Sequence, residues 1–209
     1  MRRWAAFALM LALAGCGGGK RAVPPAQTHA APTPAHGAVP WPAPANPMQL
    51  TRRAGLTPET HEFVFLHVHS HLDVFVKGKK VRVPAGIGIN IDDPAVRRYL
   101  LTDGTIGYGG ISPPCAKPCI SPLHTHFDDG ILHTEARQNQ FNHLGQFFTE
   151  WNVRLSRNCV GGYCRPAAPI TVYVDGNAYA GDPRQIQLED RREIAIVIGT
   201  PPQKIPSSF

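Results

Sequence analysis

Residues 63–76, FVFLHVHSHLDVFV, are apolar apart from histidines at every second position, His67, His69 and His71, with Ser70 and Asp73 among them. The stretch reads as a strand. Successive side chains of a strand alternate faces, so the three imidazoles are expected to point the same way. From residue 72 to 76 the alternation is less clean, which fits burial on both faces. Lys77-Gly78-Lys79 is a turn, and Val81-Arg82-Val83 starts a return strand that closes a hairpin.

A second cluster occupies residues 122–135, PLHTHFDDGILHTE, with His124, His126, His133 and Glu135 around a turn. Asp128 and Asp129, next to Gly130, are turn residues. If residues 123–127 are extended, His124 and His126 also share a face. Two such combs facing each other bring imidazoles from distant segments into one small space, and metal binding is the simplest chemistry for that. Six imidazoles exceed what one ion normally takes, so either some are outer-shell groups or two ions bind. Imidazole suits zinc, copper and iron. A blue-copper centre needs a free thiolate, and a methionine-rich Cu(I) site is ruled out because Met48 is the only methionine beyond the leader described next. Copper(II) or zinc leads, with iron behind. Four histidines fall outside the combs. His61 and His143 read as ordinary polar or core residues, and His29 and His36 as polar residues of a linker.

The amino end carries an address. Arg2 and Arg3 precede an apolar run over residues 4–14, which is too short to span a bilayer core of about 20 helical residues but suits a signal peptide. Leu13-Ala14-Gly15-Cys16 resembles the lipobox of bacterial lipoproteins. The resemblance implies cleavage after residue 15 and acylation of Cys16 (diacylglycerol on sulfur, palmitate among the acyl chains). The chain would be exported and anchored to the cell membrane or outer membrane, its domain facing the periplasm or exterior. Several acyl chains on one residue give a stable anchor. Residues 16–55 read as a Pro/Ala/Gly-rich tether with little to bury, residues 56–201 as the folded domain and 202–209 as a tail.

The formal charge is +6, and Arg2 and Arg3 of the leader account for two of these, leaving +4. No Lys/Arg stripe interleaved with aromatics is present, so nucleic acid is not an expected partner. The partners implied are the membrane, through Cys16, and another metal-handling protein of the envelope.

Elsewhere in the domain, Asp92-Asp93-Pro94 predicts a helix start and a short helix over 94–101. Glycines and prolines over 104–122 argue against regular structure there. Residues 131–135 form a short strand. Asn142 is placed to cap a helix over 143–151 with Leu144, Phe147, Phe148 and Trp151 on one apolar face. Strands follow at 170–174, 186–188 and 193–198, with a turn at Asp175-Gly176-Asn177. VFVKG at 74–78 and VYVDG at 172–176 hold matching places in two hairpins. The expected fold is a single mainly β (α+β) domain of antiparallel hairpins with one or two short helices.

Four cysteines remain beyond Cys16: Cys115, Cys119, Cys159 and Cys164. An exported setting is oxidising, so disulfides are expected, with local and crossed pairings both open. A four-thiolate zinc site and a redox pair are the rivals, and the two-residue spacing usual in each is missing.

The motifs HVHSHLDVFVKG, VPAGIGI, PLHTHFDDGILHTEA and LGQFFTEW resemble a family of bacterial exported and membrane-tethered His-rich domains over residues 61–200. The likeness implies a coherent domain and brings no activity with it. Three functions stay open: a metal-capturing or metal-delivering lipoprotein, a His-ligated metalloenzyme with Glu135 as general base, and a non-metal interaction module of the envelope whose histidines are structural or pH-responsive.

Overall fold

A computed structural model describes residues 41–209. The expected leader, Cys16 and the first part of the tether lie outside the described residues. In chain order the first elements are α1 (Pro47–Arg53), β1 (Leu66–Val76), β2 (Lys79–Val81), β3 (Arg97–Leu100), β4 (Ile106–Gly109), β5 (Leu123–His124) and β6 (Ile131–Ala136). Then come α2 (Leu144–Glu150), β7 (Cys159–Val160), β8 (Tyr163–Cys164), β9 (Ile170–Val174), β10 (Asn177–Tyr179) and β11 (Glu193–Ile198). The domain is mainly β, with two short α-helices, as its sequence predicts.

β1 is the axis of the main sheet, whose order is β10-β9-β11-β1-β6-β5. Its first half pairs antiparallel with β6, and its second half pairs parallel with β11 and antiparallel with β2. That double use explains the change of pattern along the strand: residues 70–76 are buried throughout, while the first four are not. Leu72, Val74 and Val76 face the main core, where Leu144, Phe147, Phe148 and Trp151 of the α2 segment cover them with Leu132, Ile194, Ile196 and Ile198. His67, His69, His71, Asp73 and Phe75 occupy the other face by alternation.

The two VxVxG hairpins share one turn geometry. Lys77 and Gly78 have φ of 51° and 77°, and Asp175 and Gly176 have 50° and 77°. Both central residues at positive φ make a type I′ turn, whose twist matches that of the flanking strands. The return strand of the second hairpin is Asn177–Tyr179, not 186–188, because it directly follows this two-residue turn.

Five further expectations are corrected. The helix expected over 94–101 is a strand, β3, which pairs along its length with β4 inside the segment expected to be irregular. Asp93 does cap locally, its Oδ1 accepting from Ala95 N–H at 3.0 Å. Cross-strand pairing then overrides the helical start. α2 is closed at its start by Gln146, whose Oε1 accepts from His143 N–H at 2.8 Å, whereas Asn142 turns inward to donate to Thr134. The domain also begins before residue 56. Trp41 is 2 % exposed and packs edge-on against Trp151 at 5.7 Å, and Leu50 of α1 is fully buried. The carboxyl-terminal stretch is packed as well: Ile205 lies against the Phe75 cluster and Phe209 against His71. Trp41→Ala is therefore expected to cost about 3 kcal/mol, the low end for a buried aromatic at the edge of a core, measured by urea unfolding.

The cysteines form the two local disulfides, Cys115–Cys119 and Cys159–Cys164, the second closing the β7–β8 pair. No helix among the described residues is long and apolar enough to cross a membrane.

Candidate metal centre

Strand register assembles the site. Across β1 and β6, His67 lies opposite Glu135 and His69 opposite His133, and β5 places His124 on the far side of His133. Directly paired residues point to the same face, so His69, His133 and His124 form one row across three strands, beside the row of His67 and Glu135. β4 adds His126: Tyr108 N–H donates to its backbone carbonyl at 3.0 Å, and its Nδ1–H donates to the Tyr108 carbonyl at 2.6 Å.

Those backbone contacts fix the tautomers. A carbonyl only accepts, so Nδ1 of both His124 (to Ser121, 2.8 Å) and His126 (to Tyr108) carries the proton. Each neutral ring then turns a lone pair on Nε2 toward the site. The two Nε2 atoms are 3.2 Å apart. Two lone pairs at that distance repel unless a proton or a cation lies between them.

Glu135 sits at the centre of the imidazoles and is 6 % exposed. Its Oε1 is 3.2 Å from His67 Nε2, 3.4 Å from His133 Nδ1, 3.6 Å from His126 Nε2 and 3.9 Å from His124 Nε2. His133 Nδ1 is buried without a well-aligned hydrogen bond. Donors bound to one zinc at ~2.0–2.2 Å in a tetrahedron are spaced ~3.3–3.6 Å apart. The separations among His124, His126, His133 and Glu135 bracket that spacing, and all four donor atoms lie within 4.8 Å of one another. The residues therefore fit a metal ion.

A second donor set overlaps the first. His67, His69 and His133 also bring their ring nitrogens within 4.8 Å of one another, with His67 and His69 Nε2 at 2.9 Å. His133 belongs to both sets. Burial grades across them: the side chain of His124 is 1 % exposed, that of His133 14 % and that of His67 42 %.

The protonation tendencies of His124, Glu135 and His69 suit metal binding, whereas His126 has to give up a proton as the ion binds. Burial, helped by His126 nearby, pushes His124 down to about 3, so it is neutral. Burial would raise Glu135, but the imidazoles of His126 and His133 beside it hold it far below the usual carboxylate range. His126 is raised: burial opposes its charge, yet Glu135 and the Tyr108 carbonyl prevail. His69 is lowered by burial and by His133 and His67 beside it.

His71 falls outside both sets and lies in a separate buried donor group with Asp73 and Glu193. Its row holds Ile131 on one side and Glu193 on the other, so no imidazole is its neighbour. Nδ1 lies 2.8 Å from Glu193 Oε2, Nε2 lies 3.0 Å from the Asp129 carbonyl, and the ring stacks on Phe209 at 5.0 Å. Although burial works against its charge, Glu193 raises it, so the pair is a buried ion pair. His61 packs against Phe63 and His143 precedes α2, both away from the donor sets. The four cysteines of the described residues are disulfide-bonded and offer no thiolate. The sequence reading missed Glu62, whose Oε1 accepts from Gly110 N–H at 2.9 Å and whose charge acts on His126. The available signal was the glycine run at 107–110, which lets the chain come close to those two side chains.

No family model, curated protein or solved structure matches the chain.

Proposed function

We propose that the protein is a lipid-anchored, extracytoplasmic metal-binding protein that captures copper(II) or zinc through its clustered histidines and passes it to another envelope protein. The observation that carries this reading is the pair of donor sets sharing His133, one open to solvent at His67 and His69 and the other buried around His124 and Glu135. An ion can be met by the exposed pair and exchanged inward without leaving histidine ligation. His124, His126, His133 and Glu135 would hold it. The ion would act there as cargo, and the chain's own residues keep it dry and oriented through Ser121 and Tyr108.

The metalloenzyme reading has one observation behind it, the cleft that reaches His126 and Glu135. Glu135 is poorly suited to be its base. A general base works best with a pKa near the operating pH, whereas the surrounding histidines hold this carboxylate far lower.

Titration of the metal-free protein with Cu(II) against a competing chelator tests the proposal. Two classes of site are expected, and changing His67 and His69 to alanine should remove the weaker and leave the tighter. A single class indifferent to His67 and His69 would contradict the two-set account. Metabolic labelling with palmitate, lost in Cys16→Ala, tests the anchor.

A further inference from the structure

Beside the donor sets lies a cleft of about 380 Å³ whose walls are largely apolar. Val64, Tyr99, Leu101 and Phe127 form its sides, and His126 and Glu135 lie at its inner end. The side residues are unusually open for their type: Val64 is 70 % exposed, Leu101 46 % and Tyr99 38 %. Apolar surface of this kind gains free energy when it is covered, and concave apolar surface around a few polar groups is the usual form of a small-molecule site.

The wall next to the metal centre is built for close approach. A Cβ on Gly109, whose φ is 148°, would lie 2.6 Å from His126 Nδ1 and 2.9 Å from Glu62 Oε1. A Cβ on Gly107 would run into the Phe127 ring. β4 therefore carries glycine at two alternate positions, and the rings of Phe127 and His126 rest against its backbone. Size sets one limit on the occupant, since a closed cavity of about 150 Å³ already admits benzene. The cleft has room for a ring with a short substituent. Charge sets another. Glu62 and Glu135 line the cleft, and their two charges balance those of a divalent ion, so neither a carboxylate nor an ammonium head gains a net attraction there. A neutral hydroxyl offers its oxygen to the metal side and its proton to a carboxylate.

We propose that this cleft binds a small molecule with an aromatic or branched aliphatic body and a neutral hydroxyl head, held with the head at the His126–Glu135 end. The role of the head rests on the metal reading above, and the seat of the body rests on the cleft alone.

Phenol, cyclohexanol and benzoate are the probes, added to the full-length protein in zinc-loaded and metal-free form and followed by saturation-transfer NMR and calorimetry. Phenol and cyclohexanol are expected to bind the zinc-loaded protein, with benzoate about tenfold weaker or more, and Glu62→Gln should narrow that gap. Leu101→Asp should weaken phenol by about tenfold or more through lost apolar contact, with zinc content unchanged. Val64→Asp, at a still more exposed position, repeats the test should Leu101→Asp fold poorly. No phenol binding by the zinc-loaded protein, or binding that neither variant moves, would overturn the proposal. If the protein retains no zinc, the metal reading fails by itself. Phenol binding by the metal-free protein that Leu101→Asp weakens then still supports the cleft, and its absence overturns the cleft too.

Discussion

His133→Ala is expected to lower the affinity for the first metal ion by more than about 100-fold, beyond the 10–100-fold typical of an outer-shell partner, and to remove the second site as well. His133 stands in the middle row between His69 and His124 and is the one residue common to both donor sets. Losing it leaves His124, His126 and Glu135 on one side and His67 with His69 on the other. Neither remainder closes a four-donor shell. His71→Gln is the control, because His71 lies on the same strand and face but is engaged by Glu193 and the Asp129 carbonyl. It should leave metal stoichiometry unchanged and cost stability, since it weakens a buried ion pair. Chelator competition at constant pH separates the two outcomes. A loss of metal in His71→Gln equal to that in His133→Ala would show that strand face alone, and not the row, selects the ligands.

Glu150→Gln is expected to stabilise the metal-free protein in mildly alkaline solution while leaving it little changed in acid. Glu150 lies on α2 with no solvent exposure, and its Oε1 accepts from Thr51 at 2.8 Å while Oε2 has no hydrogen-bond partner. Burial pushes its pKa up to about 8 from the usual 4.5, against the pull of the Ser121 and Thr51 hydroxyls. The folded state thus binds the proton more tightly than the unfolded chain. The stabilising contribution of the protonated form is complete below about pH 4.5 and declines as pH rises toward 8. At 1.36 kcal/mol per pH unit the loss approaches about 5 kcal/mol by pH 8. Glutamine has no proton to lose, and the other titrating groups cancel between the two proteins. Urea unfolding of both from pH 4 to pH 9 checks this, and a difference independent of pH would contradict it. Ser121 links this carboxyl to the metal centre, because its carbonyl accepts from His124 Nδ1–H. Deprotonation of Glu150 is therefore a perturbation directly behind the innermost ligand.

Much of the centre was legible in the sequence because a strand has period two. His67 and His69 share a face by that rule alone, and HTH in an extended segment does the same for His124 and His126. What periodicity leaves open is register. His71 obeys the alternation, yet its row brings it Ile131 and Glu193 where the rows before it bring Glu135 and His133. The pairing with β11, far away in the chain, thus separates it from the other imidazoles and groups it instead with Asp73 and Glu193. The strand at 97–100 was hidden for a similar reason. Asp93-Pro94 is a sound helix start, but Arg97–Leu100 gains more from the ladder with Ile106–Gly109 than one short exposed helix would return. Trp41 escaped notice because a lone tryptophan in a Pro/Ala tract carries no periodic signal. Its contacts with Trp151 and Tyr163, more than a hundred residues later, make it part of the core.

Metal content tests the central claim most directly. The full-length protein, purified untagged, would be measured by elemental mass spectrometry beside a variant with His124, His126 and His133 changed to alanine. Near-stoichiometric copper or zinc in the native protein, lost in the variant, is the expected result. No metal in either protein, and none retained after copper and zinc are added back, would contradict the account.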